Sequence, residues 1–264
     1  MIKFFRKIRK NLLSEGKTGK YLKYAVGEIF LVIVVGILLA LQINNWNENR
    51  ASKARIDSRL MNLTQDLDAD IAEVQSNIKL AENRIVITKG ILQAIGRRST
   101  LSEVDRIFPE LANREFTFEG IVNPNSSLSN LSTLDGNRST YEALINAGEF
   151  HLISDQELAK KIQVYYAKAD EHKDAERWNN MESYLMIYRS KLRLGLGSYS
   201  ADGTMEKLIE LASTDKQFGA ELEHSFLLDY NQYQNSEAMI ERAEDLLLAI
   251  RNYCGHTSRL DQND

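Results

Sequence analysis

One run limits what this chain can become: YAVGEIFLVIVVGILLALQINNW, residues 24–46, its only long apolar stretch. From Ile29 to Leu41 every residue is apolar or glycine. With its edges the helical run is about 18 residues, roughly 27 Å at 1.5 Å per residue, which matches the hydrocarbon thickness of a bilayer. Tyr21 and Tyr24 stand at one end and Trp46 at the other, as aromatic belts do. A core helix would carry a polar stripe, and this one has none. An export signal would end in a small-residue cleavage site, whereas this run ends ALQINNWNEN. The expectation is an uncleaved membrane span over residues 25–45.

Glu28 sits within one turn of the basic end, close enough to reach the interface beside Lys20 and Lys23. It is read as an interfacial group rather than an ion site. Residues 1–24 hold Lys3, Arg6, Lys7, Arg9, Lys10, Lys17, Lys20 and Lys23 against Glu15 alone. The positive-inside rule therefore predicts a cytoplasmic N-terminus and a C-terminal domain outside the cytoplasm. The chain's net charge is −4 and residues 1–43 carry +6, so the remainder carries −10. The basic end suits an anionic lipid surface. The acidic remainder argues against nucleic acid.

Within the basic end, MIKFFRKIRKNLL places Ile2, Phe5, Ile8 and Leu12 on one helical face, as an amphipathic segment lying on the inner leaflet does. Past Trp46, apolar or small residues recur at Leu60, Leu63, Leu67, Ile71, Val74, Ile78, Ala81, Ile85, Thr88, Leu92 and Ile95. The steps alternate between three and four with one irregularity, which predicts a heptad-like helix about ten turns long. Residues 99–138 contain both prolines, Pro109 and Pro124, and read as a loop-rich insertion, with REFTFEGIV extended.

Helix signals return at STYEALINAG, with Ser139 as N-cap, Glu142 three residues on and Gly148 as the stop. SDQEL repeats the device with Ser154 and Glu157. The helix it starts has Leu158, Ile162, Tyr165, Ala169, Met181, Leu185, Tyr188 and Leu192 as its predicted apolar face. TMEKLIELA forms a short helix. Thr214 with Gln217 caps a last long helix over 215–253, whose face is Phe218, Leu222, Phe226, Tyr230, Tyr233, Ile240, Ala243, Leu247 and Ile250. The predicted fold is all-α: one transmembrane helix, then an elongated antiparallel bundle over 46–264. One cysteine, Cys254, allows no intrachain disulfide and is expected to be buried.

No pattern carries chemistry. SEGKTGK contains Gly-Lys-Thr, but a P-loop needs glycine where Asn11 stands. Glu221 and His224 form one Glu-x-x-His, where di-iron bundles need two such pairs and two further glutamates. DEHKDAE around His172 reads as a charged helix surface. Tyr165, Tyr166, Tyr184 and Tyr188 read as packing rather than an aromatic cage. No catalytic residue, metal ligand or cofactor is expected.

The N-terminal stretch MIKFFRKIRKNLLSEGKTGKYLKYAVGEIFLVIVVGILLALQINNWNE resembles the signature of an uncharacterised group of bacterial single-pass membrane proteins common in Bacteroidota. YEALINAGEFHLISDQELAKKIQVYY resembles a second block of the same group. The resemblance implies an inner-membrane protein with a helical extracytoplasmic domain, and it implies no activity. The functional expectation is a membrane-anchored interaction or scaffold protein with an unknown protein partner. The alternative is an extracytoplasmic ligand-binding bundle acting through a membrane partner. Self-association is expected either through the 60–95 seam or through Gly36 and Ala40, a small-xxx-small pair in the span.

Overall fold

Helix α1, Thr18–Ala94, is 77 residues long in the computed structural model, and no proline interrupts it. The structure describes residues 18–260 other than Glu119, Ser198, Tyr199 and Ala201, with side chains over 26–255. The predicted amphipathic face of Ile2, Phe5, Ile8 and Leu12 lies outside the described residues. The chain divides into two units, Met1–Asp57 and Ser58–Asp264. In the first unit, the apolar run from Val26 to Ile43 leaves its large side chains exposed, and Glu28 is half-exposed.

In the second unit the heptad-like seam is core. Leu60, Leu63, Leu67, Ile85, Thr88 and Leu92 are fully buried and Val74 and Ala81 nearly so, while Ile71, Ile78 and Ile95 are half-buried. The unit's own helices therefore cover most of this seam. The helix ends where Gly96 adopts φ 77°. The Arg97 N–H then reaches back to the Leu92 carbonyl and the Gly96 N–H to that of Gln93. Only a residue without Cβ enters that left-handed conformation without strain.

Residues 95–155 form a crossover rather than a loop alone. Short helices punctuate it: α2, Arg98–Ile107; α3, Pro109–Ala112; α4, Pro124–Ser127; and α5, Ser139–Asn146. Each proline takes the first position of a one-turn helix, where its missing N–H removes no hydrogen bond. REFTFEGIV forms neither helix nor strand over its described residues and turns at Gly120, where φ is 82°. A 3-10 turn, Phe150–Leu152, precedes helix α6, Gln156–Arg193. Helices α7, Met205–Thr214, and α8, Lys216–Leu260, complete the chain. No strand occurs among the described residues.

Cross-helix hydrogen bonds give the directions. Ser154 meets Tyr253, Ser183 meets Ser225 and Ser190 meets Glu221, so α6 and α8 are antiparallel. Arg84 meets Asp229 and Arg251 meets Asp68, so α1 and α8 are antiparallel too. Asp70 meets Tyr165 and Asn77 meets Glu176, so α1 and α6 run the same way. The crossover makes this possible by returning the chain to the start of the bundle. One end of the unit is closed by Ile91, Val104, Phe108, Leu208, Phe218 and Phe226.

Three predicted caps move by one residue. Arg138, not Ser139, occupies the N-cap of α5 and makes no capping bond; Asp66 accepts from the Thr140 N–H instead. Asp155, not Ser154, caps α6 by accepting from the N–H groups of Glu157 and Leu158. Asp215, not Thr214, accepts from the Phe218 N–H at the start of α8. In each case a carboxylate sits where the sequence offered a hydroxyl, and the ionised acceptor makes the stronger bond. Gly148 ends α5 as predicted.

Candidate functional site

A polar spine runs through the second unit. Arg84 of α1 donates through Nε to Asp229 of α8 at 2.7 Å, through Nη1 to the Asn130 carbonyl at 2.8 Å and through Nη2 to Gln232 at 3.2 Å. Gln232 donates to Glu176 at 3.0 Å and to Ser132 at 2.6 Å, and Asn77 donates to Glu176 at 3.2 Å. The other Glu176 oxygen accepts the Leu134 N–H at 2.6 Å. Burial pushes the Asp229 and Glu176 carboxyls up, and these donors pull them back. Beside Arg84, Asn180 and Gln232 lies a cavity of about 10 Å³, room for about one water. The spine clamps three helices and the crossover, and it leaves no space for a substrate.

A carboxylate ladder on α1 holds the returning crossover. Glu73 accepts from the Asp135 N–H at 2.8 Å, Asp70 from Asn137 at 2.7 Å and Asp66 from Thr140 at 3.2 Å. The acids stand three and four residues apart, on one helical face. They satisfy backbone donors that a crossover segment packed against a helix would otherwise bury unpaired. Tyr165 donates to the second Asp70 oxygen at 2.8 Å, and burial raises the Asp70 carboxyl. None of these three acids was singled out from the sequence. Their spacing was present, but nothing local said what they would bind.

Helix α6 changes face along its length. Its first half buries Leu158, Ile162, Tyr165 and Ala169, as predicted. Its second half does not follow the prediction. The buried residues there are His172, Glu176, Asn179, Asn180, Ser183, Ser190 and Lys191, with Ile187 the apolar exception. Met181 and Leu192 are 58% and 53% exposed, and Leu185 and Tyr188 are only half-buried. Trp178 joins them at 61%. The spine explains the reversal: the Ser132 carbonyl, the Leu134 N–H, Asn77 and Gln232 need polar partners, and α6 supplies Asn180 and Glu176.

At the end of this face Lys191 is fully buried and donates to the Asn125 carbonyl at 2.6 Å and to Ser129 Oγ. Burial brings its ammonium down to about 8. It ties α4 to the last turn of α6, where a cation also offsets the helix dipole.

The residues singled out for chemistry do not converge. Glu221 accepts from Ser190 and Gln217, while His224 is exposed. His172, expected on a charged surface, is buried; burial, then Arg242, holds its imidazole below the usual range. Tyr165 and Tyr166 meet edge to face, with Tyr141 stacked on Tyr166 at 4.2 Å. Tyr184 and Tyr188 stack separately at 5.3 Å on the half-buried side. The four tyrosines are two packing pairs. Cys254, expected to be buried, is half-buried. No group of three or more metal-ligating side chains occurs among the described residues. What the structure does present is apolar surface: the first unit's run and the outer face of α6.

Comparison with known protein families matches residues 28–160 to a family of unknown function (DUF6090). No curated protein matches. No solved structure matches.

Proposed function

The chain belongs to the DUF6090 family, and from that premise we propose that it is a membrane-anchored helical interaction protein of the bacterial inner membrane. Its N-terminus is cytoplasmic and its second unit stands outside the cytoplasm. Uncovered apolar surface carries this reading. Residues 29–41 expose an unbroken apolar helix surface far larger than water tolerates on a soluble chain. Hydrocarbon is the solvent that suits it. The outer face of α6 is a second such surface, shorter and flanked by charge, on the scale of a protein contact. Two grooves between α6 and α8, one beside Leu158, Lys161, Leu248 and Tyr253 and one beside Leu185, Arg189 and Gln217, lie open at the surface, which suits docking of a chain better than capture of a small molecule.

Two measurements test the two halves. Carbonate-washed membranes should retain the full-length protein, and protease added to spheroplasts should remove the second unit while sparing an N-terminal tag. A soluble mature chain beginning near residue 44 overturns the anchor. A photo-crosslinking side chain at position 178 or 192 should form protein adducts in cells that one at Asn231, exposed on α8, does not. Equal adduct formation at both sites overturns the interaction role.

A further inference from the structure

We propose that the outer face of α6 seats the same face of a second copy of this chain, with the two helices side by side and pointing the same way. This rests on the interaction reading above and names its partner.

Trp178, Met181, Leu185, Tyr188 and Leu192 are spaced three, four, three and four residues apart. That is the spacing of a coiled-coil seam, with Trp178, Leu185 and Leu192 at one core position and Met181 and Tyr188 at the other. The seam is about 21 Å long, four turns of helix. The opposite side of the same turns is committed to the polar spine, so this helix has two seams back to back. The inner seam is mostly polar and the outer one apolar. A helix that spends its apolar residues outward is stable in water only if something covers them.

Charge selects the occupant. Arg177 and Glu182 flank the seam; both are exposed, and neither is held by a hydrogen bond or ion pair among the described residues. In a parallel pair the residue before one core position faces the residue five further along the other helix. Arg177 then meets Glu182 of the second copy, and two-fold symmetry makes the contact twice. A self-complementary patch of this kind is what an isologous dimer requires. Tyr184 falls opposite Arg189 in the same register, a cation–π geometry. The antiparallel register that would pair Glu182 with Arg189 puts Trp178 opposite Gly195, past the end of α6, and leaves the most exposed side chain of the seam uncovered. A contact of four turns is smaller than the roughly 1,200 Å² of a standard stable interface. The dimer therefore depends on the high local concentration that confinement to a membrane supplies.

The test uses the full chain in native membranes, carrying Cys254→Ser. Leu185→Cys and Leu192→Cys should each form a disulfide-linked homodimer on mild oxidation, because core positions of a parallel pair bring like residues within disulfide reach. Asn231→Cys, exposed on α8, should not. Trp178→Glu with Met181→Glu should abolish the crosslink formed by Leu192→Cys. Glu182→Arg should weaken it, and adding Arg177→Glu should restore it. These side chains are exposed, so the helical circular dichroism should not change, which separates loss of pairing from loss of fold. Crosslinking at 185 and 192 no greater than at 231, or crosslinking that survives the two glutamates, overturns the dimer. Adducts of Leu192→Cys with another protein alone also overturn it and leave the interaction role standing. Recovery of the chain outside the membrane fraction overturns the confinement on which the pairing rests.

Discussion

Arg84 and Asp229, 145 residues apart in sequence, form a buried ion pair at 2.7 Å that joins α1 to α8. Removing one member leaves the other charged, desolvated and alone. Arg84→Met should therefore cost about 3–5 kcal/mol of stability, whereas Arg84→Met with Asp229→Leu should recover much of it. Urea unfolding of the two variants, compared with the parent, checks the difference.

The seam of α1 and the outer face of α6 should respond oppositely to truncation. Leu67 is fully buried, so Leu67→Ala should cost about 2–5 kcal/mol through lost contacts and a residual cavity. Met181 is 58% exposed, and Met181→Ala should stay within about 0.5 kcal/mol of the parent. Chemical denaturation of both variants reads the contrast directly.

His172 should make the fold sensitive to mild acid. Its imidazole is buried, and its Nε2 has no hydrogen-bond partner among the described residues. Its folded value lies below the usual 6.5. The unfolded chain therefore binds more protons between those two values, and stability falls as pH drops from 6.5 through the folded value. In His172→Phe that part of the slope should vanish. Melting temperatures at a series of pH values between 7 and 5 would show it.

Lys191 has the same sign in a higher window. With its ammonium lowered to about 8 by burial, the unfolded chain holds the extra proton between about 8 and 10.5. Stability should rise across that interval as the buried charge is neutralised. The difference between parent and Lys191→Met should therefore change between pH 7 and 10. A difference independent of pH would place the ammonium in a solvated setting.

Asp155→Ala should cost about 0.5–2 kcal/mol, because two N–H groups at the start of α6 lose their acceptor. Ser154→Ala removes only a hydroxyl contact with Tyr253 at 3.0 Å and should cost less. Thermal melts of the two variants would rank them.

Much of this fold is local chemistry and was legible as such. The uncovered apolar run from 29 to 41, the heptad-like spacing from Leu60 onward and the apolar face of α8 from Phe218 to Ile250 are patterns within one helix. Periodicity depends only on neighbours a turn or two away. The helix stops at Gly96 and Gly148 are equally local, since a glycine suffices to turn the chain there.

Tertiary structure decided what each face meets. The polar inner face of α6 could not be read from α6, because its partners lie far off in sequence: Asn77 on α1, the Ser132 carbonyl and the Leu134 N–H in the crossover, and Gln232 on α8. Sequence periodicity assigned Met181, Leu185, Tyr188 and Leu192 to the core because apolar residues are expected inside. Desolvated backbone groups and polar side chains of α1 and α8 overrode that expectation, since an unpaired buried polar group costs more than an exposed apolar side chain. The parallel course of α1 and α6 has a similar origin: it follows from the Asp66, Asp70 and Glu73 ladder capturing backbone N–H groups some 65 residues away. Those acids look like ordinary surface charge until the crossover lies against them.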